Sequence, residues 1–235
     1  MRIPTIPSIP ARQNKVKTSR IMKDRKIDFE NWNRKELYTH FAHTSAPFWS
    51  VTYEEDVTEI YRFAKRNGVS FYHAMIWTVS KAMNSVQAFR YTIREDGIYE
   101  LSERLPSFTS MKENSEVFQI ITSLSLDESP LDYCKQAAIQ AQNQNEFIRY
   151  DLESDALIFI SCLPWIKVTD LSNEGMTDPA DSVPRIAWGR FEEKNGKYLL
   201  GMNLEVNHRL IDGIHIAQFH DAFQKIAQSL NPEMI

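Results

Sequence analysis

The chain has 235 residues, 43% hydrophobic, with 5 Trp, 9 Tyr and 13 Phe, which suits one domain with a sizeable aromatic-rich core. A formal net charge of −4 argues against a nucleic-acid surface, and no apolar run approaches membrane-spanning length. The 2 cysteines, Cys134 and Cys162, lie far apart without metal-ligand spacing, so no metal is expected and both read as thiols of a reducing cytoplasm.

Residues 1–26 read as an N-terminal extension or arm, and residues 27–235 as a single domain. The first 20 residues lack the apolar segment of a secretion signal and carry prolines and basic residues instead. Asn33 and Glu36 have the spacing of a capping box opening a helix with Leu37, Tyr38 and Phe41 on one side. A strand over Phe48 to Tyr53 follows. Asp56 and Glu59 start a helix with Val57, Ile60, Tyr61 and Ala64 periodic, ended by Asn67-Gly68. The next helix, Ser70 to Ser85, is apolar at Phe71, Met75, Val79, Ala82 and Met83.

Strands dominate from residue 89. Phe89 to Arg94 and Ile98 to Leu101 flank the turn Asp96-Gly97. Ser107 to Lys112 and Val117 to Leu126 follow. Pro130 after Ser129 opens a helix running to about Phe147. Ala156 to Leu163 is a continuous apolar run, expected as a strand buried on both faces. Leu171 to Val183 reads as loop. Pro184 to Glu193 and Lys197 to His208 form a hairpin around Asn195-Gly196. The fold class expected is α+β, a two-layer sandwich of a mixed β-sheet covered by helices.

Two periodicities meet at Asn207-His208-Arg209-Leu210-Ile211-Asp212-Gly213. Leu200, Met202, Leu204, Val206 and His208 alternate along a strand, while Ile216, Phe219, Phe223, Ile226 and Leu230 mark one stripe of a closing helix. A histidine closing that apolar face is expected to be largely desolvated in a stiff frame, as suits a base near neutral pH.

His208-x-x-x-Asp212-Gly213 between a strand and a helix resembles the signature of coenzyme A-dependent acyltransferases. Three further stretches resemble the chloramphenicol acetyltransferase family: Trp32-Asn33-Arg34-Lys35-Glu36, Phe159 to Trp165 with its serine-x-x-proline-tryptophan ending, and Phe71-Tyr72-His73-Ala74 followed by Phe89-Arg90. These run in order from about residue 27 to 230. The chain carries no preceding lipoyl domain or linker, which argues against a subunit of a 2-oxo acid dehydrogenase complex.

The resemblance implies an O-acetyltransferase that moves acetyl from acetyl-CoA, a co-substrate, to a hydroxyl of a small chloramphenicol-like acceptor. It makes His208 the general base and Ser161 the donor to the oxyanion, with Asp212 and Arg34 as a buried supporting pair. Arg190 and Phe191 become candidates for coenzyme A, and Phe41, Met111, Phe159, Leu171 and Asn173 for the acceptor pocket. It also implies a cytoplasmic homotrimer with each active site between two subunits, and an exposed edge on Ala156 to Leu163 is one place a neighbour could join. Two positions depart from the family: Ala187 replaces a threonine that helps hold a water, and Asn207 replaces a histidine before the base, with little effect expected. The alternatives are an acyltransferase with another acceptor and a non-catalytic coenzyme A-binding homologue.

Overall fold

The computed structural model describes residues 24–174 and 178–231. Most of the expected arm therefore lies outside the described residues. Its last residues do not: β1 (Arg25–Lys26) pairs with β4 (Gly97–Glu100), which pairs in turn with β3 (Tyr91–Arg94). Asp24 joins them, accepting from Arg94 Nη2 at 2.8 Å.

The main sheet has seven strands. Its path runs from β2 (Phe48–Asp56) through β10 (Lys197–Asn207), β8 (Arg185–Gly189), β7 (Leu157–Leu163) and β5 (Leu105–Met111) to β6 (Phe118–Thr122), with β9 (Glu192–Lys194) added beside β10. Strand β7 is parallel to both neighbours; the other pairings are antiparallel, so the sheet is mixed. On the inner face Leu200, Met202, Leu204 and Val206 of β10 are buried with Trp188, Ile160 and Phe108. They form one core with Met75, Val79 and Met83 of α3 (Phe71–Ser85) and Phe219 and Phe223 of α5 (Gly213–Ser229). This is the expected two-layer α+β sandwich. Helices α1 (Lys35–Ala42), α2 (Thr58–Asn67) and α4 (Pro130–Asn143) complete it.

Several boundaries follow their local chemistry. Ser70 Oγ accepts from His73 N–H at the start of α3, and Gly68 ends α2 with φ +62°, the left-handed conformation glycine adopts cheaply. Others depart from the sequence pattern. The Asn33–Glu36 capping box does not form: α1 is entered at Arg34 without a side-chain cap, because the buried Trp32 sets the entry and its carbonyl takes Lys35 N–H at 3.0 Å. Helix α4 stops at Asn143, short of Phe147, because the buried Gln144 donates to the Ile120 carbonyl of β6 at 2.8 Å and draws the chain back to the sheet. Phe89 and Arg90 lie in a 3-10 turn rather than a strand.

Strand β7 is interior, with β5 on one side and β8 on the other, so the edge ascribed to Ala156 to Leu163 is not open. The outer strands of the sheet path are β2 and β6. Nor is β7 buried throughout: Phe159 and its last three residues are only half-buried.

The outer face of the sheet is partly roofed by the loop leaving β7. Its Val168 backbone lies across Gly189 and Gly201, the positions next to the Trp188–Met202 pair on β8 and β10. A Cβ on Gly201 would lie 1.8 Å from the Val168 carbonyl oxygen. Gly201→Ala is therefore expected to destabilise the fold by about 1–3 kcal/mol, read as a lower urea midpoint with an unchanged slope.

Candidate active site

Strand β10 ends at Asn207, and a short turn carries the chain into α5. The Asn207 carbonyl accepts the N–H groups of Leu210 and Ile211, each at 3.0 Å, and His208 N–H donates to Pro47 O at 2.7 Å. The turn thus projects the imidazole from the end of the sheet. His208 Nδ1 lies 3.2 Å from the Ile211 carbonyl and 3.1 Å from Asp212 Oδ1. A carbonyl and a carboxylate only accept, so Nδ1 carries the proton and the lone pair of the neutral ring sits on Nε2. Nε2 has no hydrogen-bond partner among the described residues.

Two aromatic rings hold the imidazole. Phe41 of α1 stacks on it with centroids 4.1 Å apart and planes at 22°, and Trp49 of β2 tilts against it at 5.3 Å. Trp49 Nε1–H also donates to the Ile211 carbonyl at 3.1 Å. The His208 side chain remains 32% exposed. That corrects the expectation of a largely desolvated ring: the residue lies past the last paired position, Asn207 opposite Phe48, where the sheet no longer covers it.

Arg34 Nη1 pairs with Asp212 Oδ2, and Arg34 Nη2 reaches the His208 carbonyl at 3.4 Å. The pair ties the entry of α1 to the start of α5. Asp212 also caps α5, and its N–H donates to His215 Nδ1 at 2.9 Å, a capping box with histidine where glutamate is usual. Burial pushes the Asp212 carboxyl up, but Arg34, helped by His208 and His215, holds it below the ordinary value. Burial, with the Arg34 charge, lowers His215, which leaves its Nδ1 free to accept.

The remaining candidates stand elsewhere. Ser161, Ala187, Asn203 and Thr52 form one row across the sheet in direct register. Ser161 is half-buried, and its hydroxyl makes no hydrogen bond among the described residues. Phe159 and Met111 share this outer face by strand parity; Phe159 lies under the Arg185 guanidinium at 5.6 Å, and Met111 is exposed. Leu171 crosses the row and accepts from Asn203 Nδ2 at 2.9 Å, while Asn173 reaches Glu205 of β10. At the far end of β8, Arg190 is exposed and Phe191 packs among Tyr61, Phe71 and Tyr198.

The structure therefore brings Arg34, Phe41, His208 and Asp212 together, but sets Ser161 and its neighbours apart from them. His208 is five positions beyond Asn203 on β10, about 17 Å of strand, and Ser161 is two strands further across, about 10 Å. His208 also follows the inner-face parity of β10, whereas Ser161 is on the outer face. Within one chain the imidazole and the hydroxyl cannot meet. Trp49 and His215 are contributors that motif reading did not pick out. The alternation of Trp49, Val51 and Tyr53 and the Asp212-x-x-His215 spacing were the available signals.

Residues 22–224 match the sequence model of the family described as CAT: Chloramphenicol acetyltransferase. A chloramphenicol acetyltransferase of Vibrio anguillarum is 28% identical over 213 residues, covering 89% of this chain and 96% of that protein. One of Staphylococcus aureus is 29% identical over 210 residues, covering 88% and 96%. Among solved structures, a chloramphenicol acetyltransferase superposes with a TM-score of 0.75 at 22% identity, over 87% of this chain and 100% of that one. A probable dihydrolipoamide acetyltransferase of Listeria monocytogenes follows at 0.63 and 14% identity, over 84% and 91%.

The Arg34–Asp212 pair generates a pH prediction. A carboxyl lowered by folding contributes stability that is present above its unfolded value and lost as pH falls through its folded value. Asp212→Asn is expected to flatten that acid limb in thermal melts. Arg34→Met, which leaves the carboxylate without its cation, is expected to cost about 1–3 kcal/mol at neutral pH, below the range for a fully buried pair because both side chains keep some solvent.

Proposed function

We propose that this chain, which belongs to the chloramphenicol acetyltransferase family, is an enzyme that transfers acetyl from acetyl-CoA to a hydroxyl of a small, chloramphenicol-like acceptor. One observation carries the assignment of the base. His208 Nδ1 faces the Ile211 carbonyl and Asp212 and leaves Nε2 without a partner among the described residues. A hydroxyl is a poor nucleophile at neutral pH, and an unprotonated Nε2 within reach removes that barrier.

His208 Nε2 takes the acceptor proton as the oxygen attacks the thioester carbonyl. The carbonyl π electrons move onto oxygen, and Ser161 Oγ–H donates to the oxyanion. Collapse of the tetrahedral intermediate re-forms the carbonyl and breaks the carbon–sulfur bond. The proton on Nε2 passes to the departing thiolate, which restores the base. Asp212 and Arg34 hold the turn and take no proton.

The serine that serves a given histidine comes from another copy of the chain. The separation of His208 and Ser161 within one chain, and the half-exposed outer face that carries Ser161, support that reading. A closed ring of three copies, each giving its His208 edge to a neighbour's outer face, satisfies it with one kind of contact. Phe41 and Trp49 line the base side of the acceptor site, and the neighbour's Met111, Phe159, Leu171 and Asn173 line the other. Arg190 supplies a cation for coenzyme A phosphates, and the cluster around Phe191 supplies aromatic surface. The reaction is placed in the cytoplasm, where acetyl-CoA is available and both thiols stay reduced.

Thiol release from acetyl-CoA in the presence of chloramphenicol measures the activity. His208→Ala is expected to abolish it, and Ser161→Ala to lower it about 100- to 1,000-fold. Unfolding and refolding the two variants together is expected to restore about a quarter of the wild-type sites, the fraction in which an intact histidine meets an intact serine. Full activity of His208→Ala overturns the base; no recovery on mixing two folded, inactive variants overturns the shared site.

A further inference from the structure

We propose that Asn207 is the positioning residue that fixes the His208 imidazole in its Nδ1–H form. The inference rests on His208 being the base. Asn207 is 4% exposed, and both ends of its amide are engaged. Nδ2 donates to the carbonyls of Pro179 at 2.9 Å and Asp181 at 2.8 Å, and Oδ1 accepts from Arg209 N–H at 3.0 Å. Two carbonyls and one N–H as partners admit only one orientation of the amide. The Asn207 main-chain carbonyl takes Leu210 N–H and Ile211 N–H. One residue therefore holds the turn at three of its amides.

The far side of the clamp is itself anchored. Asp181 Oδ2 is paired with Arg185 Nη2 at 2.7 Å, and both side chains are buried. Asp181 Oδ1 also takes Val183 N–H at 3.1 Å. The turn is thus tied to a segment with its own buried ion pair on the outer face, while Trp49 Nε1–H holds the Ile211 carbonyl from the inner side.

What this fixes is the Ile211 carbonyl. Ile211 N–H is held by the Asn207 main-chain carbonyl, whose place the side-chain clamp on Pro179, Asp181 and Arg209 sets, and the Ile211 oxygen, on the following peptide, lies 3.2 Å from His208 Nδ1. The two neutral forms of an imidazole differ little in water, so the acceptor at Nδ1 decides which one the protein keeps. If the carbonyl drifts away from hydrogen-bond reach, Nδ1–H keeps only Asp212 Oδ1, at 3.1 Å, and the Nε2–H form gains. That form cannot take a proton at Nε2. Asn207 thus acts on the reaction through the tautomer of its neighbour and has no contact with the reacting atoms.

The test uses full-length protein with ¹⁵N-labelled histidine at a pH where His208 is neutral, its signal assigned by its loss in His208→Gln. The wild type is expected to show a protonated Nδ1 and a bare Nε2. Asn207→Ala is expected to shift the ring to a mixture of tautomers. Its kcat per folded chain should fall about 10- to 100-fold, with KM for acetyl-CoA changed by no more than about twofold. Asn207→Ser, which keeps one donor and one acceptor, should fall between, and it carries the test if the alanine variant does not fold. A folded variant with the wild-type tautomer signal and kcat, even with a lowered melting temperature, overturns the proposal. The tautomer readout does not depend on turnover, so failure of His208 as base would show separately as activity retained by His208→Ala.

Discussion

The carbonyl of Ile211 is the point on which the site depends. It faces the Nδ1–H of His208 on one side and takes the indole N–H of Trp49 on the other. An imidazole hung from a strand end is free to rotate about two bonds; a fixed acceptor at Nδ1 removes that freedom and chooses the protonated nitrogen in the same act. The peptide that bears this carbonyl belongs to the turn that Asn207 clamps. Three further elements converge on it: β2 through Trp49, α1 through Arg34 and Phe41, and the start of α5 through Asp212.

Helix α5 cannot drift from this arrangement because β2 holds it a second time. Glu55 is fully buried on the inner face, and its carboxylate lies 2.9 Å from His220 Nδ1 and accepts from Gln224 Nε2 at 2.6 Å. A buried carboxylate without partners would be costly, and burial does push its titration up; the two side chains from α5 work against that rise. Trp49 at one end of β2 and Glu55 near the other thus fix both the position and the register of α5, and so the geometry of Asp212 at its first turn.

Much of this was legible in the residues. The inner face of β10 reads directly as alternation, and the stripe through Phe219 and Phe223 reads as one face of a helix, because burial on one side leaves a period. The His208 and Asp212 spacing, backed by the ordered motifs around Trp32 and Ser161, placed the family. Three things left no local signature. The outer face of β10 is also largely buried, although Asn203, Glu205 and Asn207 are polar; they face Leu171, Asn173, Pro179 and Asp181, contacts that no short-range pattern encodes. Arg34 was used across 178 positions by Asp212, so the capping pattern at Asn33 lost to a tertiary pairing. The interior place of β7 depends on parallel partners, which sequence periodicity does not name.

The proposed division of the site across two faces has a physical consequence for His208 as the proposed base. His208 is 32% exposed in one chain, and water at that distance would solvate the ring, compete for the acceptor hydroxyl and hydrolyse a bound thioester. Phe41 covers one side of the ring and Trp49 leans on it from another, but no described residue hydrogen-bonds Nε2. Under the proposed assembly the covering surface is a neighbour's outer face, which brings Ser161 with it. Exclusion of water and arrival of the oxyanion donor then become one event. A rigid turn is what such a design requires: the neighbour docks against a base whose direction is already set, and no binding energy is spent on orienting it. The row of Ser161, Ala187 and Asn203 carries a further trace of that face. Asn203 is fully buried and its Oδ1 has no partner among the described residues, beside the small Ala187, so a buried acceptor lies unsatisfied under the loop that crosses the row two strands from Ser161. Left without a partner, such an acceptor costs about 1–3 kcal/mol unless a bound water meets it.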